Sequence, residues 1–239
     1  MIRRVFHEQI DSTSLDAKRR YDGAALLVVA AEQTAGMGRL GRTWQSPRGG
    51  LWMSLAWPMR EPLTAYQAAP LAVGAAVAEA IGAVCEVSAE IKWPNDLLVN
   101  ERKLAGILCQ TELDRNVLVV GIGINANLSC GTLPEDLRRP PTSLRDERGS
   151  DVDLLALEVS LVERLQAAIE ACEQGRFGTD IAPRVHARLC WRGKRVRSTD
   201  GAGTVFTEGV LAGIDASGAL ILETEVGQVA VTVGEIARI

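Results

Sequence analysis

The sequence predicts an α+β protein: a mixed or antiparallel sheet with helices packed on it over residues 1–190, followed by a small β-barrel over 191–239. Three observations predict it. Ala-rich and Leu-rich helical stretches are mixed with strand runs, the pattern of a sheet with helices segregated on it. The runs between 87 and 124 follow one another through short turns at Asn100-Glu101-Arg102 and Asp114-Arg115-Asn116, as in an antiparallel meander. From Trp191 the composition shifts to short alternating runs separated by glycines, the signature of a small barrel.

Taken in order, a strand from Arg3 to Ile10 leads to Asp11-Ser12-Thr13-Ser14, where Thr13 with Asp16 three residues on is expected to cap a short helix. Ala25–Ala31 and Leu51–Trp57 are apolar strand runs. Thr64-Ala65-Tyr66-Gln67 has the capping-box spacing and is expected to open an Ala-rich helix reaching about Val84. Pro70 and Glu79 in that stretch make it a buried helix and not a membrane span. Strands are then expected at 87–92, 97–99, 103–112 and 117–124, with helices on one face of the sheet. After the adjacent Pro140 and Pro141, the helix from Val152 to Cys172 carries Leu154, Leu157, Leu161, Leu165, Ala168 and Cys172 at core-stripe spacing. A second helical stretch ends near Leu189, and the barrel runs are 203–210, 219–223 and 228–233, turning at Gly213, Gly218 and Gly227.

At 239 residues the chain is long enough for one large domain or a domain with an appendage. Hydrophobic content of 47% and charged content of 23% are those of an ordinary soluble protein, and a formal charge of −4 recruits neither DNA nor an anionic membrane. The five cysteines stand singly with no C-x-x-C pair, so neither a disulfide framework nor a zinc site is indicated and a reducing cytoplasm is the expected setting. Charge interrupts the first residues before an apolar signal region forms, so no secretory leader is expected.

Chemistry concentrates in three places. Gln33–Gly50 holds five glycines with Arg39, Arg42 and Arg48, a cationic loop in which backbone N–H groups and forked guanidinium donors suit phosphate. Gly36, Gly38 and Gly41 match the spacing of a dinucleotide fingerprint, but Arg42-Thr43-Trp44-Gln45-Ser46-Pro47 gives no helix the room to begin, which argues against that reading. The second place is Lys92-Trp93-Pro94-Asn95-Asp96, whose proline presents Lys92, Asn95 and Asp96 at a strand end; Lys103 enters the next strand of the same hairpin. The third is Gly121-Ile122-Gly123-Ile124-Asn125-Ala126-Asn127, where glycines inside an apolar strand mark either a β-bulge or close approach of a ligand. An anion loop, two lysines, a carboxylate able to hold Mg²⁺ and ligand-adjacent glycines together describe nucleotide-dependent activation of a carboxylate. Fixed cations offset the charge that grows on the phosphoryl oxygens, each contributing about 2.7–4 kcal/mol.

With these motifs the chain resembles the biotin protein ligases. The matching residues are Asp11-Ser12-Thr13-Ser14, Gln33–Trp44 with Ser46-Pro47 and Gly49-Gly50, Lys92–Asp96, Lys103-Leu104-Ala105-Gly106-Ile107-Leu108, Gly121–Asn125 and Gly234-Glu235-Ile236, spread over essentially the whole length. The resemblance implies a class II aminoacyl-tRNA synthetase-like catalytic domain, an SH3-like terminal barrel and a two-step reaction. Biotin and MgATP give biotinyl-5′-AMP and pyrophosphate, and the biotinyl group passes to one lysine of the biotin carboxyl carrier protein of acetyl-CoA carboxylase or a related carboxylase.

It further implies that Ser12, Thr13 and Gln33 bind the ring end of biotin, that Gly106, Leu108 and Gly121 line its tunnel, and that Lys103 meets its carboxylate and the α-phosphate. Gly36 and Arg39 close over the adenylate, with Arg42, Trp44, Lys92, Asn95 and Asn125 on the nucleotide side. Lys103, Arg39, Lys92 and Asp96 form the catalytic set, Asp96 near Mg²⁺ or steering the incoming lysine. Met37 stands where many members carry a basic residue, which weakens retention of the adenylate. The motifs begin at Asp11, so no winged DNA-binding domain and no autonomous DNA binding are expected; a homodimer is. His7 and His186 lie in no motif, so the base that frees the acceptor amine is not histidine. Three alternatives remain: a lipoate or octanoyl ligase of similar fold, a non-catalytic sensor of biotin or its adenylate, and a single-strand nucleic-acid module, which the charge balance opposes.

Overall fold

The computed structural model of the chain describes residues 2–60, 62–132, 139–200 and 203–239. The first part runs β1 (Arg3–His7), α1 (Thr13–Arg20), β2 (Leu26–Ala30), β3 (Leu51–Pro58), α2 (Ala69–Cys85), β4 (Glu90–Lys92), β5 (Asp96–Val99), β6 (Arg102–Glu112), β7 (Val117–Ile124), α3 (Leu144–Arg148), α4 (Leu154–Glu173) and α5 (Ala182–Arg188). Its strands form one seven-stranded sheet in the order β1-β2-β3-β7-β6-β5-β4, with β1 and β2 parallel and every other neighbouring pair antiparallel. The second part, β8 (Arg195–Thr199), β9 (Val205–Ile214), β10 (Leu220–Thr224), β11 (Gly227–Val231) and β12 (Glu235–Arg238), is a five-stranded antiparallel sheet in the order β11-β10-β9-β8-β12.

Period-two alternation sorts the large sheet into two faces. Leu51, Met53, Leu55 and Trp57 of β3, with Leu118, Val120, Ile122 and Ile124 of β7, belong to the main core under α2 and α4. Ala and Gly dominate α2, so α4 approaches it closely and Leu157, Leu161 and Leu165 are fully enclosed. The opposite face carries a smaller core, in which Leu26, Val28, Ala56, Val117 and Val119 meet Ala17 and Tyr21 of α1. The helices thus lie on both faces, not on one as the sequence suggested. Beyond α1 this second face presents glycines, and there it floors a cavity.

Several boundaries differ from the sequence reading for local reasons. Ser12, not Thr13, is the N-cap of α1, because the Thr13 hydroxyl is engaged by Gln33 and Ser54. Residues Leu63–Tyr66 form a separate 3-10 turn, and α2 begins after an uncapped Ala68 with Pro70 in its first turn, where a missing N–H costs nothing. Strand β1 stops at His7, whose carbonyl accepts from Ala31. The second stretch after α4 is a π turn (Phe177–Ile181) followed by α5. Glu173 ends α4 by accepting from Trp57 Nε1 and the Tyr66 hydroxyl, both at 2.8 Å, which ties the helix to β3. Among the described residues, no helix is long and apolar enough to cross a membrane.

Leu161 is fully enclosed between α4, α2 and the sheet, so Leu161→Ala should cost about 2–5 kcal/mol of folding stability. Urea denaturation checks this through a lower midpoint at unchanged slope.

Candidate active site

A cavity of about 360 Å³ lies between the glycine-bearing face of the sheet, the segment 33–46 and strand β12. The segment is a closed hairpin-like flap: Gln33 N donates to Ser46 O at 3.0 Å, Trp44 N to Gly36 O at 2.9 Å and Gly38 N to Arg42 O at 2.7 Å. Its tip is a single 3-10 turn, Arg39–Gly41, with Leu40 at φ 57°. No helix starts in it, so the dinucleotide geometry is absent. Gly36 folds the flap on itself, since a Cβ there would lie 2.4 Å from Trp44 O and 2.6 Å from Ser46 Oγ.

The glycines of β6 and β7 are explained by what lies on them. A Cβ at Gly106 would sit 2.8 Å from Trp44 Cζ3, one at Gly123 2.4 Å from Trp44 Nε1, and one at Gly121 2.7 Å from Ser14 Oγ. The indole of Trp44 therefore rests directly on the sheet. The pairing of β7 with β3 and with β6 runs through Gly121 and Gly123 without a shift, so close approach, and not a bulge, is the reason for these residues.

One end of the cavity is neutral and polar. Gln33 Oε1 accepts from Thr13 N at 2.8 Å and Thr13 Oγ1 at 3.0 Å, while Gln33 Nε2 donates to Ser46 Oγ at 2.8 Å. Ser54 Oγ, fully buried, bridges Thr13 Oγ1 at 2.8 Å and Ser14 Oγ at 2.9 Å. Ser54 was not among the sequence-derived residues; its one signal was a lone hydroxyl in the apolar run 51–57. Ser12 turns its hydroxyl toward Leu15 N in the helix cap, and neither it nor Gly36 lines the cavity. The segment is anchored from behind: buried Asp16 pairs with His7 Nε2 at 2.9 Å and Arg20 Nε at 2.6 Å, and a bidentate pair with Arg19, both bonds at 2.8 Å, lowers the Asp11 pKa to about 2.

The other end is cationic. Lys103 Nζ stands 2.7 Å from Asp96 Oδ1 and Lys92 Nζ 3.8 Å from Asp96 Oδ2, so one carboxylate serves two ammonium groups. Burial drives the Lys92 pKa below the usual lysine range despite Asp96. Burial also works against the charge of Asp96, but the two lysines prevail and hold it below the ordinary carboxylate value. The Trp93-Pro94 peptide between them is cis. Lys103 Nζ lies 4.9 Å from the centre of the Trp44 ring.

Arg39 Nη1 donates to Asn95 Oδ1 at 2.7 Å and Nη2 to Gly234 O at 3.5 Å, and Arg42 Nη1 donates to Glu235 Oε1 at 2.5 Å. The flap is thus held by the last strand of the second sheet, a contact with no signal in local sequence. Asn95 Nδ2 donates to Ile107 O at 3.0 Å, and Asn125 Nδ2 donates to Thr142 O at 2.9 Å and Lys103 O at 3.3 Å, so both amides brace backbone. Arg48 departs from the expected cation set: it is exposed and pairs with Glu8 at 3.0 Å and Glu32 at 3.6 Å, because the chain has already turned into β3. Leu108, Gly121 and Met37 line the cavity, and Arg139, which no motif flagged, lines it too.

Arg42 Nη2 and Trp44 Nε1 are buried donors without a partner among the described residues. No group of three metal-ligating side chains occurs among the described residues. The arrangement suits an elongated ligand: hydrogen-bonded at a neutral head, flanked by glycine and indole, and anionic at its tail.

Two family models match the chain: one described as the biotin/lipoate A/B protein ligase family over residues 6–127, and one described as the biotin protein ligase C-terminal domain over 193–238. The chain is 34% identical over 244 residues to the biotin-acetyl-CoA-carboxylase ligase of Paracoccus denitrificans, covering 95% of this chain and 96% of the relative. To the bifunctional ligase/repressor BirA of Bacillus subtilis it is 33% identical over 236 residues, covering 93% of this chain and 70% of the relative. The structure of a biotin protein ligase from Aquifex aeolicus in complex with biotin and ATP superposes with a TM-score of 0.87 at 28% identity, over 99% of both chains.

The lowered pKa of Lys92 carries a stability consequence. A lysine whose folded value falls below its unfolded one destabilises the fold wherever it must be protonated, as at neutral pH, and that cost disappears above the unfolded value. Lys92→Met, which leaves Asp96 its Lys103 partner, should therefore raise Tm at neutral pH by about 2–4 °C. A thermal melt of the ligand-free protein that shows a lower Tm would mean that Asp96 more than offsets the burial.

Proposed function

As the chain belongs to the biotin/lipoate A/B protein ligase family, we propose that it is a biotin-acetyl-CoA-carboxylase ligase that binds biotin and ATP, forms biotinyl-5′-AMP, and loads biotin onto a carrier lysine. We assign the catalytic domain to residues 1–190 and the terminal domain to 191–239. The observation that carries the reading is the polarity of one cavity, with neutral hydroxyl and amide groups at one end and Lys92, Lys103 and Arg39 at the other.

Thr13, Ser14 and Gln33 hold the ureido end of biotin, which needs donors and acceptors but no charge, and Ser54 positions the two hydroxyls from behind. The valeryl chain crosses Gly106 and Gly121 beside Leu108, leaving its carboxylate at Lys103. Attack of a carboxylate on the α-phosphorus of ATP brings two anions together. Lys103 and Arg39 offset that repulsion and the charge growing on the phosphoryl oxygens, in a site where the flap excludes water. Trp44, Arg42, Asn95 and Asn125, which all line the cavity, take the nucleotide side, where Asn95 also braces Arg39 and Asn125 the Lys103 backbone.

Mg²⁺ enters with the ATP phosphates. Asp96 does not fit as its ligand, because both carboxylate oxygens face ammonium groups and no group of three metal-ligating side chains occurs among the described residues. In the second half-reaction the acceptor amine, protonated at neutral pH with a pKa of about 10.4, must be freed before it attacks the acyl carbon and expels AMP. Asp96, already shared by Lys92 and Lys103, places those two ammonium groups and does not itself capture the acceptor amine. A lipoate or octanoate ligase would share the cationic end but has no use for the Thr13–Gln33–Ser54 hydroxyl–amide network.

Pyrophosphate release with biotin, lipoate or octanoate and no carrier tests the reading; release with lipoate alone would overturn it. Lys103→Ala should abolish biotin-dependent release while circular dichroism stays native, and normal release would remove Lys103 from the chemistry. Arg39→Gly, which loses both the Asn95 and Gly234 anchors, should let biotinyl-5′-AMP escape and label lysines on unrelated proteins. Equal labelling by the parent enzyme would show that flap closure does not retain the intermediate.

A further inference from the structure

We propose that Arg139 is a catalytic residue of the first half-reaction alone, binding the β- and γ-phosphoryl oxygens of ATP and taking up the charge of departing pyrophosphate. The inference rests on the ligase reading above.

Arg139 lines the same cavity, near enough to the cationic end to act on Lys92 and Asp96. Its placement is built into the backbone. Pro140 restricts Arg139 to extended conformations, Pro140 O accepts from Lys103 N at 2.8 Å, and Thr142 N donates to Lys103 O at 2.9 Å. Pro141 thereby forms a parallel bridge with Lys103, so Arg139 is carried beside the lysine assigned to the α-phosphate. The guanidinium lies 5.0 Å over the Trp191 ring, and Nη1 donates to Glu101 O at 3.2 Å. Trp191 is itself held by Glu101 Oε1, which also receives Arg238.

The choice of partners matters. In this cavity Asp96 is matched to Lys92 and Lys103, and Glu235 to Arg42. Arg139 has only a carbonyl and an aromatic face, with no carboxylate in ion-pair range among the described residues, so its charge is not neutralised and most of its five donors remain for a ligand. Its field reaches the pocket, acting against protonation of Lys92 and in favour of ionised Asp96.

In the first step a carboxylate oxygen bonds to the α-phosphorus as the bond from that phosphorus to the bridging oxygen breaks. The electron pair leaves on pyrophosphate and no proton is required. The added negative charge falls on the group farthest from biotin, at the cationic end that Arg139 lies near. Biotinyl-5′-AMP keeps a single phosphate, held at Lys103, so Arg139 has nothing to stabilise in the second step.

The test compares the intact protein with Arg139→Gln and Arg139→Lys in two assays: biotin-dependent exchange of pyrophosphate into ATP, and transfer from supplied biotinyl-5′-AMP to the carrier. Arg139→Gln should lower exchange by roughly 10²-fold and weaken inhibition by added pyrophosphate, with partial recovery in Arg139→Lys. Transfer from the supplied adenylate should stay within about twofold of the parent enzyme, which also certifies the fold. Equal losses in both assays, or unchanged exchange, would overturn the assignment. Absence of exchange in the parent enzyme would instead overturn the ligase reading on which it rests.

Discussion

The site depends on one half-buried carboxylate shared by two ammonium groups. Without Asp96, Lys92 and Lys103 would lose the carboxylate that both approach, and nothing from it would offset the burial that opposes the charge of Lys92. The sheet register makes the sharing inevitable. Asp96 pairs with Lys92 across the β4–β5 turn and stands opposite Gly106 on β6, while a register shift between Leu97 and Leu98 lets Lys103 reach the same carboxylate. Phosphate-binding charge is thereby stored in a protein whose overall charge is −4. Its cost is local, borne by Lys92, whose burial opposes its own ionisation.

The same sheet pays for its two faces differently. Under α2 and α4 it carries Leu, Ile, Val and Met and gains stability from packing. Toward the cavity it carries Gly106, Gly121 and Gly123, which lose conformational entropy and bury nothing of their own. What they gain is a surface flat enough for an indole to lie on. The large core thus supports a small face that is poorly optimised for folding and well suited to admitting a ligand.

Much of this was legible because the chemistry is local in sequence. Lys92–Asp96 and Lys103–Leu108 lie in one hairpin, and Gln33–Trp44 is one flap, so short motifs specified most of the cavity. Composition could not separate residues that look alike but diverge in space. Arg39, Arg42 and Arg48 share one loop, yet Arg48 follows Pro47 out to Glu8 and Glu32. Asn125, expected as a ligand contact, lines the cavity while its Nδ2 also holds the Thr142 and Lys103 carbonyls, a bracing role that residue type alone does not reveal. Ser54 and Arg139 carried no motif; only sheet register and the Pro140–Lys103 hydrogen bond reveal where they point. The Thr64–Gln67 capping pattern failed because Pro70 offered a start for α2 that needs no cap.

The contacts of Arg42 with Glu235 and of Arg39 with Gly234 span 193 and 195 residues of chain. On a ribosome, the seven-stranded sheet and its lysines emerge and can pack long before either partner is made. A nascent or truncated chain ending before residue 234 would thus own the reactive cations without the fastening that covers them. The fastening of the flap arrives only with the final strand, so translation itself sets the order in which the cationic pocket and its cover appear.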